Sequence, residues 1–162
     1  MAHFAKIGID NVVTGVLSMD TITTMTPGGI EREEIGIAHL IEHHGHENWK
    51  KCSYNTVNGV HIDPETGEPS ADQTKALRAN YPGIGWYYSS EHDIFYPPRP
   101  TDMDGDLMNS STLNTTTGQW DHPITKPALT DDQIANASYY RWDESAYQAD
   151  NSQGWVLVTP SE

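Results

Sequence analysis

The run Pro97-Pro98-Arg99-Pro100 constrains the fold of this chain more than any other feature of its sequence. Proline fixes φ and lacks an N–H donor, so neither a helix interior nor a central strand can pass through such a run. The run therefore predicts the end of a compact domain and a semi-rigid spacer after it. We expect one domain over residues 1–100 and a separate C-terminal segment over residues 101–162.

Apolar residues are scarce in this chain. Of its 162 residues 36% are hydrophobic, whereas roughly 45–50% is usual for a globular domain when glycine is also counted. A chain of this length can still bury about 70% of its extended surface. We expect the core to lie in the first domain, and the C-terminal segment to be stable mainly by docking onto that domain or onto a partner.

The charge balance argues against several functional classes. Lys and Arg number 9 against 23 Asp and Glu, which gives a net charge of −14 with neutral histidines and a pI near 4.7. This charge repels phosphate backbones and disfavours direct nucleic-acid binding. No apolar run approaches the roughly 20 residues that cross a bilayer, and the first residues do not resemble a signal peptide. With Cys52 as its single cysteine, the chain is expected to be an acidic soluble protein of a reducing compartment, without membrane contact.

The first hundred residues predict a small antiparallel sheet with one helix, an α+β fold that is mainly β. Two apolar-rich segments, Ala2–Ile9 and Val12–Met19, flank a pair of residues that tolerates the positive φ of a tight hairpin turn. Ile30–His44 carries glutamates in its first turns and precedes Gly45, which predicts a helix with a glycine C-cap. Further strands are expected at Trp49–Tyr54, at Val57–Ile62, in the aromatic run that follows the Pro82-Gly83 turn and ends at Tyr88, and at Ile94–Tyr96.

The segment after the prolines has another character. Thr101–Gln119 is nearly free of large apolar side chains, which indicates an acidic linker. Tyr139–Trp142 and Trp155–Val158 carry the aromatic and branched side chains of strands and predict a closing hairpin. We therefore expect a loop-rich β appendage anchored by its tryptophans.

A histidine stripe is the first candidate for chemistry. On a helical wheel His39, His43 and His46 fall within about 60° of one another, and imidazoles one turn apart can chelate Zn²⁺. The zinc-protease pattern of a glutamate directly after the first histidine is absent, since Leu40 follows His39. The stripe also points away from the apolar side of the helix. A solvated helix face is therefore favoured over a metal site, and no cofactor is expected.

Two other local features fall short of a chemical signature. Asp102, Asp104 and Asp106 alternate as in calcium loops, but an EF-hand needs glycine and a bidentate carboxylate where this chain has Leu107 and Leu113. Cys52 lies in an expected strand without a catalytic signature around it, so a structural thiol is favoured over a nucleophile. No enzyme motif is present, and we do not expect an enzyme.

Aromatic residues cluster in the strands before the prolines and again in the tail. Aromatic faces stack on sugars and bases, but alternating positions on paired strands also build an ordinary core, which is favoured here. Any part of this set that stays exposed is typical of a protein contact. The residues assigned to partner binding on this basis are Tyr81, Trp86, Tyr87, Tyr88, Phe95, Tyr96, Trp142 and Trp155.

Several blocks of sequence carry a resemblance to a known group of proteins. In chain order they are Met1-Ala2-His3-Phe4-Ala5, Cys52-Ser53-Tyr54-Asn55-Thr56, Gly59-Val60-His61, Arg78-Ala79-Asn80-Tyr81-Pro82-Gly83-Ile84-Gly85 and Pro97-Pro98-Arg99-Pro100. The series resembles the short virion-associated structural proteins of marine and cyanobacterial tailed bacteriophages (cyanophages among them). Those proteins usually begin with the same five residues and carry alanine in place of Pro82 and lysine in place of Arg99. This chain also has acidic insertions at 63–75 and 101–118.

The resemblance implies a non-enzymatic structural protein of a phage virion, made in the host cytoplasm. Its place would be an auxiliary head decoration, a vertex, or the neck or tail, and its partners would be other virion proteins such as the major capsid protein. The scarcity of apolar residues adds the expectation of a homo-oligomer or an obligate partner. Two alternatives stay open: a host-glycan-binding adsorption module that uses Trp86, Tyr87 and Tyr88, and a metal-dependent hydrolase at the histidine stripe.

Overall fold

The computed structural model describes residues 1–160, which form an α+β fold with more strand than helix. One sheet of three strands and four sheets of two strands make up the β structure of these residues. The strands are β1 (Ala2–Ile7), β2 (Val13–Met19), β3 (Trp49–Cys52), β4 (Thr56–Val57), β5 (Val60–His61), β6 (Tyr87–Ser89), β7 (Ile94–Tyr96), β8 (Thr112–Asn114), β9 (Gln119–Asp121), β10 (Tyr139–Trp142) and β11 (Trp155–Val158). The α-helices are α1 (Glu33–His44), α2 (Asp131–Ala135) and α3 (Glu144–Ala149). The predicted fold class, α+β and mainly β, is confirmed.

The described chain divides into two compact units. The first comprises Met1–Pro98 together with Asn114–Gln119, and the second comprises Arg99–Leu113 together with residues 120–160. Each helix of the described residues is too short or too polar to span a bilayer.

Strand β1 is the centre of the first unit, in a sheet of order β2-β1-β3. Successive side chains of a strand point to opposite faces, and those of β1 supply two small cores. Phe4 packs with Leu40 and Trp49 on the face that α1 covers. Ile7 packs on the other face with Phe95 and the remaining members of the second core, Ala5, Val13, Cys52 and Tyr88. Two thin cores thus use the few apolar residues that the chain has.

Helix α1 ends where the sequence predicts and begins later. Gly45 caps it in the left-handed conformation with φ 62°, the region that glycine enters without steric cost. The expected start at Ile30 is wrong, because the chain there is extended: Glu31 forms a bridge with Met25, and the N–H of Arg32 donates to the carbonyl of Thr24. These bonds hold residues 30–32 outside the helix.

The second unit contains the expected hairpin and two helices that the sequence analysis did not predict. Strands β10 and β11 pair antiparallel, with Trp142 opposite Trp155. Thr130 and Gln133 form a reciprocal capping box at the start of α2. The carboxylate of Asp143 accepts from the N–H of Ala146 at the start of α3. The segment expected to be an acidic linker also has structure, since it contains β8 and a bridge between Thr101 and Leu107.

Gly36 of α1 allows the close approach of the helix to the sheet, and its replacement by alanine is the first test of this packing. A Cβ atom there would collide with Cζ of the buried Phe4 ring. The overpacking outweighs alanine's better helix propensity, so we expect Gly36→Ala to lower the free energy of unfolding by about 1–3 kcal/mol. Gly15→Ala is the matched control, because no atom lies within 4 Å of a Cβ built there. Equal urea midpoints for the two variants would contradict this packing.

Candidate functional site

The histidine stripe does not form in the structure. Helix α1 ends at His44, and Gly45 turns the chain, so His46 leaves the helical wheel on which the stripe was drawn. Its Nε2 instead lies 2.8 Å from the carbonyl oxygen of Ile7. His39 and His43 remain together, with ring centroids 4.0 Å apart. No group of three or more His, Cys, Asp or Glu side chains within residues 1–160 is arranged to hold a metal ion.

The aromatic residues assigned to partner binding divide into core and surface. Phe95, Tyr88 and Trp142 are buried, so they pack the interior and present no face to a partner. The others are half-buried: Tyr81 and Trp86 pack against the second core of the first unit, Tyr87 and Tyr96 stack at 5.6 Å, and Trp155 packs in the second unit. A continuous aromatic platform therefore does not form on strands β6 and β7.

In the second unit, the buried carboxylate of Glu144 organises the surrounding loops. It accepts four hydrogen bonds, from the backbone N–H and hydroxyl of Ser110, from Nε1 of Trp142 and from Nε2 of Gln148. Burial by itself would raise the pKa of Glu144, but these donors outweigh it and lower the pKa to about 2. A carboxylate held ionised by four fixed donors is a structural anchor rather than a proton donor.

The aspartates of the predicted calcium loop are also structural. Asp102 is buried, and its Oδ1 accepts from the backbone N–H groups of Asp104 (3.0 Å) and Asp106 (2.9 Å). Its Oδ2 accepts from the N–H of Glu144 at 3.1 Å. The hydrogen bond from Glu144, followed by those within the loop, lowers the pKa of Asp102. The loop is thus closed by its own backbone donors.

A serine and a histidine approach each other in the second unit. Oγ of Ser111 lies 3.5 Å from Nδ1 of His122, which is beyond the usual reach of a general base. Ser111 is 2% exposed, and the ring of His122 packs against those of Trp142 and Trp155, which also contact each other. Burial lowers the pKa of His122. This pair forms part of a packed aromatic cluster.

Arg78 closes the outer edge of strand β3 in the first unit. The N–H of Lys51 donates to Oε1 of Glu33 at 2.8 Å, and the carbonyl of Lys51 accepts from Nη1 of Arg78 at 2.6 Å. Arg78 also pairs with Oε2 of Glu33 at 3.1 Å and with Oδ1 of Asp93 at 2.7 Å. A neighbouring strand would offer the same acceptor and donor. The ion pair therefore takes the place of a fourth strand.

Asn80 ties together three backbone segments of the same unit. Its Oδ1 accepts from the N–H of Asn58 at 2.9 Å. Its Nδ2 donates to the carbonyls of Phe95 (3.0 Å) and Thr117 (2.9 Å). The block Arg78-Ala79-Asn80-Tyr81, which carries much of the phage resemblance, thus holds the fold together.

The thiol of Cys52 is buried in strand β3. The residue is 2% exposed, and burial raises the pKa of its thiol to about 12. A nucleophilic cysteine needs the opposite, a lowered pKa and access to solvent.

A cavity of about 390 Å³ lies at one end of the three-stranded sheet, and we call it the sheet-end cavity. The antiparallel pairing of β1 and β3 brings two of its lining residues, His3 and Cys52, opposite each other. The other lining residues come from the ends of these strands, from strand β5 and from connecting segments: Met1, Ala2, Thr21, Glu31, Lys51, Ser53, Tyr54, Asn55, His61, Thr74, Lys75 and Leu77.

Hydrogen bonds fix the part of the sheet-end cavity that His61, Lys75 and Leu77 line. The hydroxyl of buried Thr56 donates to the carbonyl of Lys75 at 3.4 Å and accepts from the N–H of Leu77 at 3.2 Å. Gln73 accepts from the N–H of His61 at 2.9 Å and donates to its carbonyl at 3.0 Å. Burial lowers the pKa of His3 on the sheet side. Sequence reasoning did not find this cavity, because its walls come from segments that no local pattern joins.

Comparison with known proteins adds no family: no family model matches the chain, and no curated protein or solved structure shows significant similarity to it. The resemblance to phage virion proteins therefore stays a prediction.

Loss of Arg78 tests the closure of the β3 edge. Arg78→Met leaves Oε2 of Glu33 and the carbonyl of Lys51 without the guanidinium that pairs with them, so we expect the free energy of unfolding to fall by about 3 kcal/mol. Arg141→Met is the control, since Arg141 pairs with the exposed Asp104 and should cost less than about 1 kcal/mol. Chemical denaturation measures both, and losses of equal size would contradict the special role of Arg78.

Acid titration tests the role of Glu144. Its pKa is lowered from 4.5 to about 2 by folding, so below pH 4.5 the unfolded chain binds the proton more readily and stability falls as the pH falls. We expect the difference in urea midpoint between the natural protein and Glu144→Gln to be full above pH 4.5 and to shrink toward pH 2. A difference that does not change with pH would rule out this explanation.

Proposed function

We propose that this chain is a non-enzymatic structural protein of a bacteriophage particle, which docks on other virion proteins from its first unit. The proposal starts from the sequence blocks that resemble phage proteins. Support comes from the polar residues in these blocks. Arg78 and Asn80 donate hydrogen bonds to backbone carbonyls, which is the role expected of such residues in a structural protein. Within residues 1–160 every buried side-chain N or O atom has a hydrogen-bond partner.

The observation that carries the docking proposal is an apolar loop before helix α1. Ile22, Met25 and Ile30 are 71%, 36% and 57% exposed. We call these three residues the apolar loop. Its backbone is held by hydrogen bonds, since the N–H of Met25 donates to the carbonyl of Ile22 and the N–H of Thr26 donates to the carbonyl of Ile30. A rigid loop that presents three large apolar side chains is typical of a protein contact, because it loses little entropy on binding.

Neither alternative function is supported by the residues on which the sequence analysis based it. The glycan module on Trp86, Tyr87 and Tyr88 needs an exposed stacking surface, whereas Tyr88 is buried and Tyr87 stacks on Tyr96. The hydrolase needs three histidines on one face, and His46 is turned toward backbone carbonyls.

Purified particles of the phage that encodes this chain provide the first test. We expect peptide mass spectrometry to find the protein in the particle, because a docked component copurifies with it. The copy number relative to the major capsid protein then separates a head decoration from a neck or tail component. Absence from the particle would overturn the proposal.

Variants of the apolar loop test the docking surface. We expect Ile22→Ser with Ile30→Ser to reduce co-sedimentation of added protein with particles that lack it by about tenfold, because two central apolar contacts are lost. Ile9→Ser with Ile84→Ser is the matched control, since these isoleucines are 88% and 76% exposed on other turns. If the control pair reduces binding and the loop pair does not, the apolar loop is not the docking surface.

A further inference from the structure

We propose that the sheet-end cavity binds an acidic saccharide of up to disaccharide size. The inference rests on the lining of this cavity and does not depend on particle docking. At about 390 Å³ the cavity falls within the usual range for small-molecule sites, about 300–1,000 Å³.

An exposed tyrosine forms one wall of the cavity. Tyr54 is 71% exposed, yet its ring is held in place by Tyr81, whose ring centroid lies 5.2 Å away at an interplanar angle of 73°. His3 supports both, at 5.6 Å from Tyr81 and 6.1 Å from Tyr54. An aromatic ring that is supported at its edge and exposed to solvent suits stacking against the apolar C–H face of a pyranose.

The charge of the lining favours an acidic ligand. Two of the chain's five lysines, Lys51 and Lys75, line the cavity, whereas Glu31 is the only acidic residue among residues 1–160 that does so. Nζ of Lys51 already lies 2.8 Å from Oε1 of Glu31. Lys75 is the less neutralised cation, since its Nζ is 4.0 Å from Asp72. Although the protein has a net charge of −14, the lysines of this cavity provide positive charge that can bind a carboxylate.

The remaining polar groups suit hydroxyls better than phosphates. Thr21, Ser53 and Asn55 contribute hydroxyl and amide groups that both donate and accept hydrogen bonds. Phosphate sites are commonly built from glycine-rich backbone or helix N-termini, and no glycine is found among the residues that line this cavity. The combination of an aromatic wall, two lysines and paired donors and acceptors points to a sugar that carries a carboxylate.

Calorimetric titration of the full chain with a matched pair of disaccharides tests the inference. The probes are cellobiouronic acid, which carries one carboxylate, and neutral cellobiose. We expect cellobiouronic acid to bind with a Kd of about 1 mM or below, and cellobiose about tenfold more weakly. Lys75→Met should remove this preference for the acid, and Tyr54→Ala should weaken both sugars by about tenfold.

The controls are variants of the same types in the second unit, Lys126→Met and Tyr139→Ala, which should leave the affinities unchanged. Failure of both sugars to bind overturns the inference, as does binding that Tyr54→Ala does not weaken. Equal affinity for cellobiouronic acid and cellobiose would overturn the inference that the ligand is acidic. Inorganic phosphate that binds as tightly as cellobiouronic acid, without dependence on Tyr54, would show a simple anion site instead.

Discussion

The ion pair between Arg78 and Glu33 is the interaction on which the first unit depends. It satisfies both outward backbone groups of Lys51 and joins helix α1 to strand β3. A short sheet with an open edge can pair with another chain, and here the edge is occupied by two side chains. Arg78 holds this position with a positive φ of 52°, a conformation that costs a non-glycine residue about 1 kcal/mol. The pair therefore both completes the sheet and offsets local backbone strain.

Polar side chains carry much of the structural role that apolar burial has in other domains. Asn80 in the first unit and Asp102 and Glu144 in the second each bond several backbone or side-chain donors and acceptors, and each is buried. Such bonds are worth about 1 kcal/mol each, but a lost partner leaves a buried group unsatisfied and costs more. A chain with few apolar residues can hold long loops in this way, provided that its polar network is complete.

The sequence predicted those parts of the fold that local patterns determine. The hairpin of β1 and β2, the pairing of β6 with β7 and of β10 with β11, and the glycine cap at Gly45 all follow from neighbouring residues. The helix α2 was missed although its capping box, Thr130 with Gln133, is visible in the sequence. The bonds of Arg78 were not predictable, since Arg78 and Glu33 are 45 residues apart. The sheet-end cavity was not predictable either, since it joins the first residues of the chain to Lys75 and Leu77. The prediction that His46 shares a helix face with His39 and His43 was wrong, because Gly45 adopts the left-handed conformation and ends the helix before His46.

The burial of Cys52 gives this protein a built-in reporter. Because the chain has a single thiol and that thiol lies in the core of the first unit, a thiol-specific reagent reaches it only when that unit opens. The rate of labelling thus measures opening of the first unit without any engineered probe, and the second unit, which has no cysteine, stays silent in the same experiment. A ligand that fills the cavity beside Cys52 would slow that rate, which makes the thiol a sensor of occupancy as well.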